Sequence, residues 1–161
     1  MSVDMSYYSP TYGKVDLEHL KSIINRYMGQ DKKASYEIIV GSDSQRIKNN
    51  GYDFVSALVV HKLGGGGIYF WKREMSGKKM SLKERIYQEA IMSLQTAESF
   101  VVFFKQNGIS RYDVQIHVDI GKKGETRELI TEVTGMIRGS GYQIKIKPDS
   151  YGASKVADRH T

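Results

Sequence analysis

The stretch YEIIVGSDSQ, residues 36–45, places a lone carboxylate, Asp43, between two serines where a β-branched apolar run ends. The run itself predicts a β-strand. An isolated ionised carboxylate inside a fold is so costly that a hydrogen-bond donor, a cation or a metal ion normally accompanies it. The end of this strand is therefore the first candidate for a functional site, and the partner of Asp43 must be sought elsewhere in the chain.

Two further apolar runs, residues 54–63 and 68–74, follow the first. Short turns rich in asparagine and glycine, at residues 48–51 and 64–67, connect the three runs. Strands joined by such turns pair in antiparallel fashion. No Lys-Ser or Lys-Thr pair follows the glycines, which disfavours a phosphate-binding loop. We predict that these three strands form an antiparallel meander.

Helices and strands alternate after the meander. Ser81 and Glu84 form a capping box, which predicts the start of a long helix that ends near residue 106. The later patterns predict a buried strand at 113–120, a helix at 125–138, a strand at 142–147 and a terminal helix from residue 150.

The residues before the meander have a different pattern. Residues 1–13 predict an irregular arm, and Asp16 caps a helix that runs to about residue 30. We therefore predict an N-terminal arm and accessory helix at residues 1–34 and one α/β domain at residues 35–161.

The order of the predicted elements in this domain is β-β-β-α-β-α-β-α. Three hairpin-linked strands cannot belong to an all-parallel sheet, so this order predicts a mixed five-stranded sheet flanked by helices on both faces. The later strands return through helical crossovers, which makes the fourth strand parallel to the first. We expect the C-terminal ends of the first and fourth strands to lie close together.

Four carboxylates are candidates for one site. Asp43 ends the first strand, and Asp119, in HVDIG, ends the fourth. Glu89 is predicted to face the sheet from the long helix, and Asp158 lies in the predicted terminal helix. Carboxylates held close repel each other unless a proton or a divalent cation neutralises them. A metal site therefore explains the two strand-end aspartates better than chance.

Each candidate also has a purely structural interpretation. Asp43 can be a turn carboxylate bonded to nearby amides, Glu89 a solvated helix residue, and Asp158 an exposed residue near the chain end. His117 is interpreted as a core histidine, and His160 as a candidate proton shuttle. The predicted strand order and the second strand-end aspartate favour the metal interpretation.

The composition favours a hard cation and a polyanionic partner. The 161 residues include no cysteine, which excludes a disulfide framework and a thiolate zinc site. Carboxylates remain as ligands, and they suit Mg²⁺ or Mn²⁺. The formal charge of +6 and the pI of about 9.4 suit nucleic acid but do not prove it.

The cationic side chains nearest the strand-end aspartates are candidates for phosphate contacts, with a solvated basic rim as the structural alternative. They are Arg46, Lys48, Lys122, Lys123 and Arg127. No apolar run has the length of a membrane span, and no signal-peptide core is evident, so we expect a cytoplasmic protein without a membrane partner. The sequence leaves the oligomeric state open.

The order of elements, with its strand, helix and terminal carboxylates, resembles the ribonuclease H fold. More narrowly, GSDSQ, ERIYQEAIMSLQTAE, HVDIG and KPDSYGASKVAD resemble the YkuK-like bacterial family of predicted ribonuclease-H-like nucleases. The resemblance covers about residues 36–161.

This resemblance implies hydrolysis of phosphodiester bonds in RNA, DNA or a hybrid, with two Mg²⁺ or Mn²⁺ ions. Asp43 would bridge the ions, Glu89 and Asp119 would complete one site, and Asp158 the other. The alternatives are a non-catalytic nucleic-acid-binding module on the same fold and an assembly protein that uses its N-terminal arm and helix. Loss of divalent-metal-dependent cleavage in Asp43→Asn would distinguish the nuclease from both.

Overall fold

The structure is a computed structural model that describes residues 6–48, 51–105, 109, 111–122, 124, 126–147 and 149–150. Its strands are β1 (Tyr7–Ser9), β2 (Gly13–Val15), β3 (Tyr36–Ile47), β4 (Gly51–Lys62), β5 (Gly67–Ser76), β6 (Val114–His117) and β7 (Gln143–Lys145). Its α-helices are α1 (Leu17–Gly29), α2 (Leu82–Phe103) and α3 (Ile130–Gly139). Short 3-10 helices lie at Arg111–Asp113 and Arg127–Leu129.

The described strands form one mixed sheet in the order β2-β1-β5-β4-β3-β6-β7. β3, β4 and β5 pair as an antiparallel meander, as predicted. β6 pairs with β3 in parallel, with Gly41 opposite His117, and β7 extends the parallel part. The chain can reach these parallel positions because α2 and α3 cross over one side of the sheet.

The prediction of five strands and an irregular N-terminal arm was wrong. Residues 7–15 form a β1–β2 hairpin, and Tyr8 pairs with Trp71 on β5. The rings of Tyr8 and Trp71 stack with their centroids 4.8 Å apart. The hairpin pairs there because an edge strand presents unpaired backbone groups and exposed apolar rings. The described sheet therefore has seven strands, and the element order begins β-β-α.

The predicted helix boundaries agree with the described helices within a few residues. The side chain of Asp16 accepts a hydrogen bond from the His19 amide at 2.8 Å, and that of Ser81 accepts one from the Glu84 amide at 3.1 Å. Such caps satisfy amides that the first helical turn leaves without partners. The predicted terminal helix from residue 150 lies outside the described residues. No described helix is long and apolar enough to cross a membrane.

The prediction of helices on both faces was wrong for the described part of the chain: its three α-helices pack on one face of the sheet, which we call the helix face. Its core joins residues of all three helices to the strand residues whose side chains point the same way, among them Ile38, Val40, Leu58, Val60, Val114 and Ile116. On the other side, Ile39, Val55 and Ala57 form a separate cluster against which Val59 and Trp71 pack. We call this the second face. Because side chains alternate along a strand, the even-numbered residues of β3 point to the helix face and the odd-numbered residues to the second face.

Candidate functional site

Asp43 and Asp119 lie on the second face at the same level of the sheet. Gly41 is opposite His117 in the parallel pairing of β3 and β6, so two residues further on Asp43 and Asp119 are level. Val118 and Ile120 are buried in the helix-face core, which directs Asp119 to the other side. The predicted parallel pairing of the first and fourth strands is thus confirmed. The prediction that Asp43 ends the first strand was wrong, because β3 continues to Ile47, and β6 ends at His117, before Asp119.

Glu89 lies near the same level of the sheet but on the helix face, where it projects from α2. Ser44 on β3 donates a hydrogen bond from Oγ to Glu89 Oε2 at 2.8 Å. The same Ser44 Oγ accepts a hydrogen bond from Arg85 Nε at 3.2 Å, and the Ser44 carbonyl accepts one from Arg85 Nη2 at 3.0 Å. Arg85 can only donate, so the single hydroxyl hydrogen of Ser44 is directed to Glu89. The sheet and the helix therefore position Glu89 jointly.

The position of Glu89 changes its ionisation. Burial raises the pKa of this carboxyl to about 8, and the charges of Asp43 and Asp119 also raise it. The hydrogen bond from Ser44 and the charge of Arg85 act in the opposite direction. Glu89 is therefore electrostatically coupled to the two aspartates, and without a cation its burial, together with their charges, favours a protonated Glu89 at neutral pH.

Asp119 also has a cationic neighbour. Lys147, just beyond β7, places Nζ 3.0 Å from Asp119 Oδ1. The two side chains are 56% and 47% exposed, so solvent screens the pair and its contribution to stability is small. An ion pair of this kind can open for a stronger cation at little cost.

The described carboxylates supply the donor type that Mg²⁺ and Mn²⁺ prefer, because all are hard oxygen ligands. The charges of Asp43 and Asp119 also disfavour ionisation of Glu89, and a divalent cation would relieve this repulsion. Among the described residues, however, no three histidine or acidic side chains lie close enough together to hold a metal ion. Asp158, the fourth predicted ligand, lies outside the described residues, as does His160.

The predicted phosphate-contacting residues fall on two sides of the aspartates. Arg46 and Lys48 are exposed at the end of β3, and Lys122 and Arg127 are exposed in the segment that follows Asp119. Lys123 lies outside the described residues. The predicted core histidine is buried: only 4% of His117 is exposed, and desolvation lowers its pKa to about 4.

Three residues of this region, Ser44, Arg85 and Lys147, were not among the predicted site residues. Ser44 resembled an ordinary turn residue beside Asp43, and Lys147 was counted only as part of the net charge. The spacing of Arg85 and Glu89, four residues apart on one helix, was an available signal, because such residues share a helix face. A contact between that face and Ser44 could not be inferred without the packing.

The sequence profile of the family described as Ribonuclease H-like matches residues 19–161. The Uncharacterized protein YkuK of Bacillus subtilis (strain 168) is 30% identical over 173 aligned positions, which cover 100% of this chain and 99% of the relative. The chain therefore belongs to the ribonuclease H-like family, in its YkuK-like group. No solved structure matches it.

Proposed function

We propose that this protein is a metal-dependent nuclease that hydrolyses phosphodiester bonds of RNA, DNA or an RNA/DNA hybrid. The observation that carries the proposal is that Glu89 lies within electrostatic reach of Asp43 and Asp119: burial chiefly raises the pKa of Glu89 to about 8, and the charges of the two aspartates raise it further. A buried structural carboxylate is normally neutralised by a protein cation. At Glu89 the charge of Arg85 is opposed by the charges of Asp43 and Asp119, as expected where a divalent cation belongs.

The ligands of the ions would be Asp43, Glu89, Asp119 and Asp158. Two Mg²⁺ or Mn²⁺ ions at such a site supply an activated water and stabilise the oxygen that leaves. Ser44 and Arg85 orient Glu89, which limits the carboxylate to one side-chain position. The cations Arg46, Lys48, Lys122, Lys123 and Arg127 would contact the phosphates that flank the cleaved bond.

The proposal is tested by incubating labelled RNA, DNA and hybrid duplex with the protein and Mn²⁺. We expect cleavage by the wild type and a loss of at least about 100-fold in Asp43→Asn and Glu89→Gln, because loss of a supporting residue alone can cost that much. Glu18→Gln removes the same charge from an exposed position in the first turn of α1 and serves as control. Cleavage that persists in both site variants would reject the assignment.

The second candidate is a nucleic-acid-binding module without catalysis. The formal charge of +6 and the exposed cations on both sides of the aspartates favour it. In that case Asp43→Asn binds nucleic acid as well as the wild type or better, because a negative charge beside phosphate has been removed. Binding without cleavage of any of the three substrates in Mn²⁺ would favour this candidate.

A further inference from the structure

A cleft of about 460 Å³ lies on the helix face beyond the end of β3, beside the start of α2. Its walls are Arg46, Tyr52, Lys79, Met80, Ser81 and Glu84. The volume falls in the range of small-ligand sites and exceeds what a lone phosphate requires.

The cleft is rich in positive charge. Arg46 and Lys79 line it, and Lys48, Lys78 and Lys83 are exposed nearby in the sequence segments that form it. Glu84 is the acidic residue of the lining, but its carboxylate accepts a hydrogen bond from the N-cap hydroxyl of Ser81 at 3.2 Å. The side chain of Glu84 is therefore held at the helix start, and the cations dominate the local charge.

The cations of the cleft differ from those on the second face. No described carboxylate forms an ion pair with Arg46 or Lys79. On the second face, by contrast, Lys147 pairs with Asp119, and Arg73 pairs with Asp53 at 3.0 Å. At the cleft, a polyanion therefore meets positive charges that no described carboxylate neutralises. On the second face, ion pairs already neutralise part of the positive charge.

The cleft is connected to the carboxylate site through Arg85. The guanidinium of Arg85 lies over the Tyr52 ring, 4.7 Å from its centroid, while its nitrogens donate to Ser44. Tyr52 in turn donates from its hydroxyl to the Met80 carbonyl at 2.9 Å, which holds one wall of the cleft. One side chain thus contacts both the wall of the cleft and the serine that orients Glu89.

The same contact indicates which part of a nucleic acid the cleft can take. Tyr52 is only 9% exposed, and Arg85 covers one face of its ring. A base therefore has no free aromatic platform at this wall. Cationic side chains without a stacking surface bind the phosphate backbone, which carries no sequence information.

We propose that this cleft binds the sugar-phosphate backbone of the strand that enters the carboxylate site, with Arg46 and Lys79 contacting its phosphates. The proposal deepens the proposed function and rests on it for the class of ligand, a nucleic-acid strand. The cleft binds the strand independently of base sequence, and Arg85 connects strand binding to the position of Glu89.

The experiment measures binding of fluorescently labelled single strands about 12 nucleotides long, within the length that a single-strand groove covers. RNA and DNA versions, each in a uridine- or thymidine-only and a mixed sequence, are titrated with the full chain in EDTA, where no cleavage can occur. Fluorescence anisotropy gives Kd at KCl concentrations from about 50 to about 200 mM.

The test variant is Arg46→Gln with Lys79→Gln, which removes two exposed cations. We expect Kd to rise about tenfold and the slope of log K against log salt to decrease in magnitude by about 2, equally for all sequences. The matched control is Lys32→Gln with Lys33→Gln, two exposed lysines in the turn before β3, at the opposite end of that strand. The control is expected to bind as the wild type does.

Equal losses in the two double variants would overturn the inference, because the effect would then follow net charge alone. An unchanged slope in the cleft variant, or no binding by the wild type, would also overturn it. Cleavage in Mn²⁺ is measured separately on the same proteins. If the wild type cleaves and the cleft variant binds nucleic acid as tightly as the wild type, the cleft inference is refuted and the nuclease proposal stands. If the wild type does not cleave but the cleft variant binds nucleic acid more weakly, the nuclease proposal is refuted and the cleft inference stands.

Discussion

At Glu89, burial and the charges of Asp43 and Asp119 raise the pKa of the carboxyl, whereas the hydrogen bond from Ser44 and the charge of Arg85 lower it. Burial has the largest effect. The carboxyl receives a hydrogen bond from Ser44 and lies near Arg85, yet its pKa is raised to about 8. A neutral carboxylic acid in this position still accepts the hydrogen bond from Ser44. The residue is therefore compatible with the fold when protonated and is available as a ligand once a cation compensates its charge.

This ionisation predicts how Glu89 affects stability in metal-free solution. Between pH 4.5, the ordinary pKa of glutamate, and about pH 8, the folded state retains a proton that the unfolded state has lost. The free energy of unfolding therefore falls as pH rises through this window and becomes level above it. We expect Glu89→Gln to unfold like the wild type near pH 5 and to exceed its stability by roughly 2–4 kcal/mol near pH 9.

Urea denaturation in EDTA at a series of pH values measures this difference. Glu18→Gln, on the exposed side of α1, is the control for loss of a negative charge. A difference between Glu89→Gln and wild type that stays constant with pH would mean that Glu89 titrates normally. That result would remove the observation on which the metal site rests.

At the level of secondary-structure elements, the β1–β2 hairpin extends the sheet beyond the meander. Tyr7 and Val15 are 3% and 1% exposed and belong to the same core as α1 and α2. The hairpin also pairs with β5, whose edge would otherwise be unpaired on that side. The division of the chain at residue 35 remains a prediction, and the contribution of the hairpin to folding can test it.

Tyr7→Ala is expected to lower the free energy of unfolding by about 3 kcal/mol or more, because removing a buried aromatic ring loses its burial and leaves a cavity. Tyr12→Ala, at a tyrosine of the same hairpin that is 42% exposed, should change it by less than about 0.5 kcal/mol. Both values come from urea denaturation followed by circular dichroism. One cooperative transition in the wild type, with the large loss in Tyr7→Ala, would show that residues 1–34 fold together with the rest. Two separate transitions would support the division at residue 35.

At the scale of the whole molecule, metal binding should appear as added stability. A ligand that binds only the folded state adds RT ln(1 + [L]/Kd), or about 2.7 kcal/mol at 100 times Kd. For a domain of this size that corresponds to a rise in Tm of roughly 5–10 °C. We expect Mn²⁺ and Mg²⁺ to raise the Tm of the wild type, and to raise that of Asp43→Asn far less.

The comparison uses the shift with metal and not the Tm alone, because Asp43→Asn also relieves repulsion in the metal-free protein. Glu18→Gln again supplies the control for loss of a negative charge. Equal shifts in wild type and Asp43→Asn would place the metal elsewhere on the molecule. A general salt effect on stability would also shift both proteins equally, so equal shifts would argue against metal binding at Asp43.

The features that the sequence predicted correctly depend on neighbours along the chain. The three hairpin-linked strands follow from apolar runs and short turns, and the helix starts at Asp16 and Ser81 follow from local capping. The proximity of Asp43 and Asp119 follows from one topological rule, since a strand that returns through a helical crossover lies parallel to the first. Strand direction and alternation therefore suffice to bring two residues 76 positions apart to one end of the sheet.

The features that the sequence did not predict depend on packing between distant elements. The contact from Ser44 to Glu89 spans 45 residues and that from Arg85 to Ser44 spans 41, and neither leaves a local pattern. The hairpin at residues 7–15 is too short to be stable alone and becomes a pair of strands because β5 offers an edge. The same packing buries Glu89, raises its pKa and forms the cleft between β3 and α2. Amino-acid order thus established the strands and their carboxylates, whereas long-range packing established the environment that decides their charge and access.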